Sequence, residues 1–353
     1  MKKDLILKLE ETHTLSHTEW LELLGDFTDE ERDFAAERAR ELTERRFGRR
    51  IYFRGIIEFT NYCRNDCLYC GIRRSNGNAV RYRLTEEEIL ECCREGYGLG
   101  YRTFVLQGGE DAFFTDERLC GLIKRIKSYY PECAITLSVG ERSRESYEAL
   151  YKAGADRYLL RHETANCPLY GKLHPAELSL SNRMRCLRDL KEIGFQTGAG
   201  MMIGAPFSTT ETLAEDMEFL ADFKPQMVGV GPFIPHKDTP FRDYPSGGEK
   251  LTLFVLSLVR LMLPDVLLPA TTALGTVDGR GRQLGRGRQL GVLAGCNVVM
   301  PNLSPLSVRK KYLLYDGKTG VDSDAAEGLR ILGKQMEEIG YEVFVGRGDF
   351  SEK

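Results

Sequence analysis

The chain has 353 residues, 42% hydrophobic and 29% charged, which fits a globular protein with one large core or a core plus a small appendage. Its 49 Lys and Arg against 52 Asp and Glu give no general attraction to nucleic acid or to an anionic membrane. Charges interrupt the opening MKKDLILKLEET, and no run of about 18 apolar residues follows, so a cytoplasmic location is expected, where the ten cysteines stay thiols free to bind metal.

In chain order, residues 14–50 carry roughly helical patterns, with Ser16/Glu19 and Thr28/Glu31 as capping boxes. They read as an N-terminal helical extension over 1–50. From residue 51, short β-branched or apolar runs alternate with longer amphipathic segments, the pattern of βα units around a parallel sheet. Eight strands are expected, at 54–60, 102–107, 134–139, 157–161, 196–203, 227–233, 267–274 and 296–301, with helices between them. Gly100, Gly154 and Gly194 suit left-handed positions where helices end. The expected fold is therefore an α/β, TIM-type (β/α)8 barrel over 51–305, with its chemistry at the C-terminal ends of the strands. An open doubly wound sheet is the alternative. The glycine–arginine echo at 279–291 has no derivable conformation, and 306–353 reads as an extension packing on the barrel, with a helix and a short extended segment.

After the first strand comes FTNYCRNDCLYCGIRRSN, in which Cys63, Cys67 and Cys70 are spaced by three and then two residues. Such a loop can wrap one metal centre. A fully protein-ligated [4Fe–4S] cluster takes four thiolates, so three leave one iron open to a small chelating molecule. Structural zinc wants a fourth protein ligand, yet no His or Cys follows within twenty residues of Cys70. The other seven cysteines do not repeat the spacing and read as structural.

The string CRNDCLYC resembles the Cys-x3-Cys-x-aromatic-Cys signature of the radical S-adenosylmethionine (SAM) superfamily. That resemblance implies that the methionyl amine and carboxylate of SAM chelate the open iron, and that reduction releases a 5′-deoxyadenosyl radical. It implies that Tyr69 covers the adenine or the cluster edge. Gly108, Gly109 and Glu110, in VLQGGED, resemble the superfamily segment that receives the methionyl amine.

Other groups are candidates by position. Glu141 follows the third strand. Arg161 and Glu163 are two apart at a strand end, so both side chains can point inward, the base towards a carboxylate and the acid towards an amine or ribose hydroxyl. Arg183 can close on the same carboxylate. A ligand-free ion pair is the competing account. Met202 comes near the adenosyl group, His236 sits in a loop where it is either functional or inert, and Thr271 and Thr272 at a strand end can receive an anion. Arg54 reaches a substrate carboxylate if it points inward.

Several strings together, among them RYLLRHETAN, GPFIPHKDTP and PATTALGT, resemble a narrower branch, the HydE family of [FeFe]-hydrogenase maturases, over about residues 30–345. The resemblance implies a SAM-dependent step in H-cluster assembly on a cysteine-bound iron carbonyl cyanide species delivered by the tyrosine lyase HydG. HydF and a low-potential electron donor are further implied partners. It assigns Arg161, Glu163 and Arg183 to the SAM shell, and Arg54, Thr271 and Thr272 to a substrate cavity. Some members carry a second cluster in the C-terminal half, but no cysteine follows Cys296, so that site is expected to be absent. Methylornithine synthase and biotin synthase are the neighbouring alternatives, and a non-catalytic iron–sulfur scaffold is the alternative of another class.

Overall fold

Acidic first turns, capping side chains and buried Ala and Leu ridges make three helices of the N-terminal stretch: α1 (Lys2–Thr12), α2 (His17–Leu24) and α3 (Asp29–Phe47). The computed structural model describes residues 2–276, 286–318 and 323–351. Both expected capping boxes form: the Glu19 carboxylate accepts from Ser16 N at 2.9 Å, and Thr28 and Glu31 satisfy each other's backbone N–H groups.

Strands β1 (Arg50–Phe53) and β2 (Gly55–Thr60) then begin the barrel. In β2, Ile57 and Phe59 pack outward into the main core while Ile56 and Glu58 face the barrel interior, as a period of two requires. Next come α4 (Glu86–Gly98), β3 (Thr103–Gly108), α5 (Asp116–Tyr129), β4 (Ala134–Ser138), α6 (Arg144–Ala153) and β5 (Arg157–Leu159). They are followed by α7 (Cys167–Leu173), α8 (Leu180–Ile193), β6 (Gln196–Ala199), β7 (Met202–Ile203), α9 (Thr210–Phe223), β8 (Met227–Val228), β9 (Gly231–Pro232) and α10 (Glu249–Met262). Beyond these lie α11 (Gly287–Leu293), β10 (Val298–Val299), α12 (Leu306–Arg309), α13 (Ala325–Glu337) and β11 (Glu342–Phe344).

The sheet β2-β3-β4-β5-β6-β8 is parallel throughout. It continues through parallel bridges from Met227 to Leu267 and from Pro269 to Val298, and it closes where Ile56 meets Asn302. Ile56 N donates to Pro301 O at 2.9 Å and Leu303 N to Ile56 O at 2.7 Å, so the sheet is a closed barrel and not an open one. The expected strands at 196–203 and 227–233 are each split in two. The one expected at 267–274 stops early: Pro269 has no N–H to pair, and Thr272–Gly275 turn into a 3-10 helix. Helix α7 was not foreseen; the Asn166 side chain caps it by accepting from Leu169 N at 2.8 Å. Of the glycine–arginine echo, 286–291 is described and enters α11, while 279–285 lies outside the described residues.

The C-terminal segment returns to the opposite end of the barrel from the strand C-termini. There β11 pairs in parallel with β1, Ile51 opposite Val343. This arrangement overturns the expectation for Arg54. Its side chain does face inward, but at the bottom of the barrel, 3% exposed, where Nη2 donates to Gly348 O at 3.2 Å and Nη1 lies 3.1 Å from Met227 Sδ. Arg54 therefore holds the C-terminal tail and does not line the cavity at the mouth.

Candidate active site

The cysteine loop follows β2 directly, and its shape comes from polar groups that substitute for a ladder. The Arg81 guanidinium donates to the carbonyls of Asn61, Ile72 and Arg73 at 2.6 to 2.8 Å. Asp66 accepts both Arg73 Nε and Nη2, at 2.8 and 2.7 Å, and Ser75 N at 2.9 Å. Across the loop, Gly109 lies so close that a Cβ would stand 2.2 Å from Tyr62 O and 2.8 Å from Cys63 Cβ. At Gly108 a Cβ would meet Thr60 Cγ2 at 2.7 Å. These glycines thus seat the cysteine loop on β3.

Cys63, Cys67 and Cys70 line one end of a cavity of about 400 Å3. Burial raises the pKa of all three thiols, that of Cys70 to about 12, and neighbouring thiols push two of them further, Cys67 through Cys70 and Cys63, and Cys70 through Cys63. Such thiols become thiolates when a strongly positive centre sits among them. Three thiols from one loop are the donor set of a [4Fe–4S] cluster that keeps one iron open, whereas structural zinc takes four protein ligands.

Two residues apart at the end of β5, Arg161 and Glu163 both turn into the cavity while His162 points out, its ring 4.7 Å from that of Phe219. Glu163 adopts φ +66°, rare for a side-chain-bearing residue, and is held there by Glu163 N to Gly200 O at 3.0 Å and Met202 N to Glu163 O at 3.2 Å. Arg161 Nη2 lies 3.0 Å from Glu163 Oε2, yet that oxygen and Arg161 Nε have no aligned hydrogen-bond partner. Buried polar atoms left so are matched by a ligand offering both an acid and an amine or hydroxyl, and SAM carries these groups.

Arg183, on α8, reaches the same cavity from the side. Nε donates to Glu141 Oε1 at 2.5 Å and Nη1 to Arg161 O. Burial alone would lower its pKa, but the neighbouring Tyr170 and Glu141 raise it, so it stays a cation. Glu141, expected around the cofactor, instead stands behind Arg183 and lines an adjoining cavity. It is bound by Arg183 and by Asn182 Nδ2 at 2.6 Å, and it acts through them. Glu110 is engaged in a similar way, its carboxylate accepting Arg64 Nε at 3.0 Å and Glu141 N at 2.9 Å.

Tyr69 and Met202 line the cavity and pack together with Leu68, Leu169 and Phe233. The Tyr69 hydroxyl is 3.2 Å from His174 Nε2, and His174 Nδ1 is 3.0 Å from Tyr170 O. Because a carbonyl only accepts, Nδ1 carries the proton and Nε2 accepts from Tyr69. Thr271 and Thr272 line the far wall; Thr271 Oγ1 is buried without a partner, and Thr272 Oγ1 is 3.0 Å from Tyr315 Oη. His236 is buried outside the cavity, and its ring would collide with a Cβ at Gly71, so it braces the cysteine loop from behind.

The residues not foreseen lie at this far end. Glu58 accepts from Asn302 Nδ2 at 2.9 Å and pairs with Lys318, both nearly fully buried. Arg288 and Arg309 line the same wall. Glu58 was legible from the alternation IIEFT; Lys318 and the arginines come from distant stretches without any local signal.

A family model described as the Radical SAM superfamily matches residues 57–220. The chain is 45% identical over 302 residues to an [FeFe] hydrogenase maturase subunit HydE from Thermotoga maritima, covering 86% of this chain and 84% of that one. It is 28% identical to a 3-methylornithine synthase from Methanosarcina acetivorans over 95% of this chain and 92% of that one. The crystal structure of methylornithine synthase (PylB) superimposes with a TM-score of 0.84 at 27% identity, covering 96% and 97% of the two chains. The thiol triad, the orphaned Arg161 and Glu163 atoms and these likenesses lead to one assignment: the chain belongs to the HydE family of the radical SAM superfamily, enzymes of a [4Fe–4S] cluster and S-adenosylmethionine.

Proposed function

We propose that the protein performs a SAM-dependent step in [FeFe]-hydrogenase maturation, acting on a cysteine-bound iron carbonyl cyanide species. The identity to the Thermotoga maritima maturase carries this reading. A cavity with thiols at one end and a separate set of charged groups at the other supports it.

In this reading Cys63, Cys67 and Cys70 hold the cluster. Arg161 and Arg183 take the methionyl carboxylate, Glu163 an amine or ribose hydroxyl, and the backbone of Gly108, Gly109 and Glu110 the methionyl amine. Tyr69 and Met202 flank the adenosyl group. When bound, cluster and SAM together supply a carbon radical. The chain's own part is to chelate, to orient and to keep water out, the last through Leu159, Leu160, Phe233, Ile234 and Met300 along the cavity wall. Thr271, Thr272, Arg288 and Lys318 receive the substrate.

The proposed setting is cytoplasmic, with HydG, HydF and a low-potential electron donor as partners. Helices over 1–50, the barrel over 51–305 and the extension over 306–353 are the proposed divisions. Deleting the gene from a hydrogenase-producing host should abolish [FeFe]-hydrogenase activity without biotin auxotrophy; retained hydrogenase activity would reject the reading. A second reading, turnover of a free amino acid, is favoured by the close superposition on methylornithine synthase. Consumption of an amino acid coupled to SAM cleavage would select it.

A further inference from the structure

Beside the cysteine loop, three of the chain's exposed large apolar side chains come together. Tyr62, 37% exposed, immediately precedes Cys63; Val80, 63% exposed, is tied to the same turn by Asn61 Nδ2 donating to Val80 O at 2.9 Å; and Phe113 is 41% exposed. Guanidinium groups interleave with the rings. Arg83 lies 3.9 Å from the Tyr62 centroid and 4.9 Å from that of Phe113, and Arg118 lies 3.9 Å from Phe113.

The charges of this face are sorted by depth. Arg83 is paired with Asp111 at 2.6 Å and Arg64 with Glu110 at 2.9 Å, but the carboxylates are 3% and 9% exposed while the guanidiniums are 35% and 64% exposed. Arg118 pairs with no carboxylate among the described residues. Solvent therefore meets the positive ends. Tyr and Arg are the side chains that most often anchor protein interfaces, and stacking fixes them in advance, which lowers the entropy lost on docking.

We propose that the Tyr62–Arg83–Phe113–Arg118 face is the docking surface for a small acidic one-electron carrier protein that reduces the cluster. The proposal rests on the radical SAM reading. Complementary charge would steer such a carrier to this face, next to Cys63, one of the proposed cluster ligands. In the step itself one electron leaves the carrier's reduced centre and enters the cluster; no bond or proton is exchanged. A single-stranded nucleic acid fits less well, because base stacking needs free ring faces and here arginines cover them.

The test uses anaerobic, cluster-loaded protein and an acidic ferredoxin. Binding of the oxidised ferredoxin is measured by calorimetry, and SAM cleavage is measured with the reduced ferredoxin or with dithionite. Phe113→Ala and Arg118→Glu should each weaken ferredoxin binding about tenfold, with a matching rise in its KM, and should leave the dithionite-driven rate unchanged. Added salt should weaken binding to the unaltered protein. Lys152→Glu, on α6 and 77% exposed, should change neither measure. Unaltered ferredoxin affinity in both Phe113 and Arg118 variants would overturn the surface, as would tighter binding of a single-stranded oligonucleotide through the same residues. Failure of dithionite to drive any SAM cleavage would instead overturn the proposed function, with the binding measurement still deciding the surface.

Discussion

Glu141 Oε1 accepts a hydrogen bond from Arg183 Nε at 2.5 Å, and Arg183 in turn reaches the Arg161 carbonyl, so the acid orients a cavity arginine without entering the cavity. Removing one partner of a buried ion pair strands the other charge, at about 3 to 5 kcal/mol. Glu141→Ala should therefore raise the KM for SAM strongly and lower the Tm. Glu141→Gln keeps an acceptor oxygen and should recover part of both. Equal SAM kinetics in Glu141→Ala and the unaltered protein would remove Glu141 from this role.

His174 makes a parallel prediction for pH. Burial, reinforced by the nearby Arg183 charge, lowers its pKa to about 3, and its neutral Nε2 accepts from the Tyr69 hydroxyl. A depressed histidine pKa means the unfolded chain takes up the proton first as pH falls. Stability is thus full above the ordinary value near 6.5 and declines between that value and about 3, by at most about 1.4 kcal/mol per pH unit. His174→Phe should flatten this decline, measured by urea unfolding at pH 7.5 and 5.5, and should raise the KM for SAM by freeing Tyr69. An unchanged pH slope in the variant would count against the assignment.

Gly109 has no room for a methyl group. A Cβ there would meet the Tyr62 carbonyl and Cys63 Cβ, so Gly109→Ala must displace the cysteine loop or β3, with a strain of roughly 1 to 3 kcal/mol. Iron content per chain after anaerobic reconstitution should fall, while Cys167→Ser, at an exposed thiol that does not line the cavity, should leave it unchanged. Full iron loading in Gly109→Ala would show that the loop tolerates the shift.

What the sequence made legible was local. The cysteine spacing lies within eight residues, and the alternation that turns Arg161 and Glu163 inward needs only the strand period. Arg54 shows where that logic ends: it shares the inward face of Ile56 and Glu58, as parity requires, but parity does not say which end of the barrel it occupies. That was decided by the tail residue Gly348, 294 positions away. The strand expected through 274 ended soon after Pro269: Ala270 N still donates to Val298 O at 2.8 Å, but Pro269 itself has no donor to offer, an absence visible in the sequence, and Thr272–Gly275 turn into a 3-10 helix. The pairings of Glu141 with Arg183 and of Glu58 with Lys318 join segments that only the tertiary fold brings together, and no local pattern encodes them.

Arg288 separates substrate binding from SAM chemistry. It lines the far end of the cavity on α11, burial lowers its pKa, and it pairs with no carboxylate among the described residues; the titratable groups nearest it are the phenols of Tyr315 and Tyr101, which burial keeps neutral. A half-buried cation without a counter-charge is costly, and an anionic ligand would relieve that cost. A lost hydrogen bond to a charged group is worth about 1.5 to 3 kcal/mol, or roughly ten- to a hundredfold in affinity. Arg288→Met should therefore raise the substrate KM by that factor while leaving SAM cleavage in the absence of substrate near the unaltered rate. If instead substrate-free SAM cleavage fell and substrate affinity held, Arg288 would belong to the SAM end of the cavity, and the division of the cavity into two binding ends would be wrong.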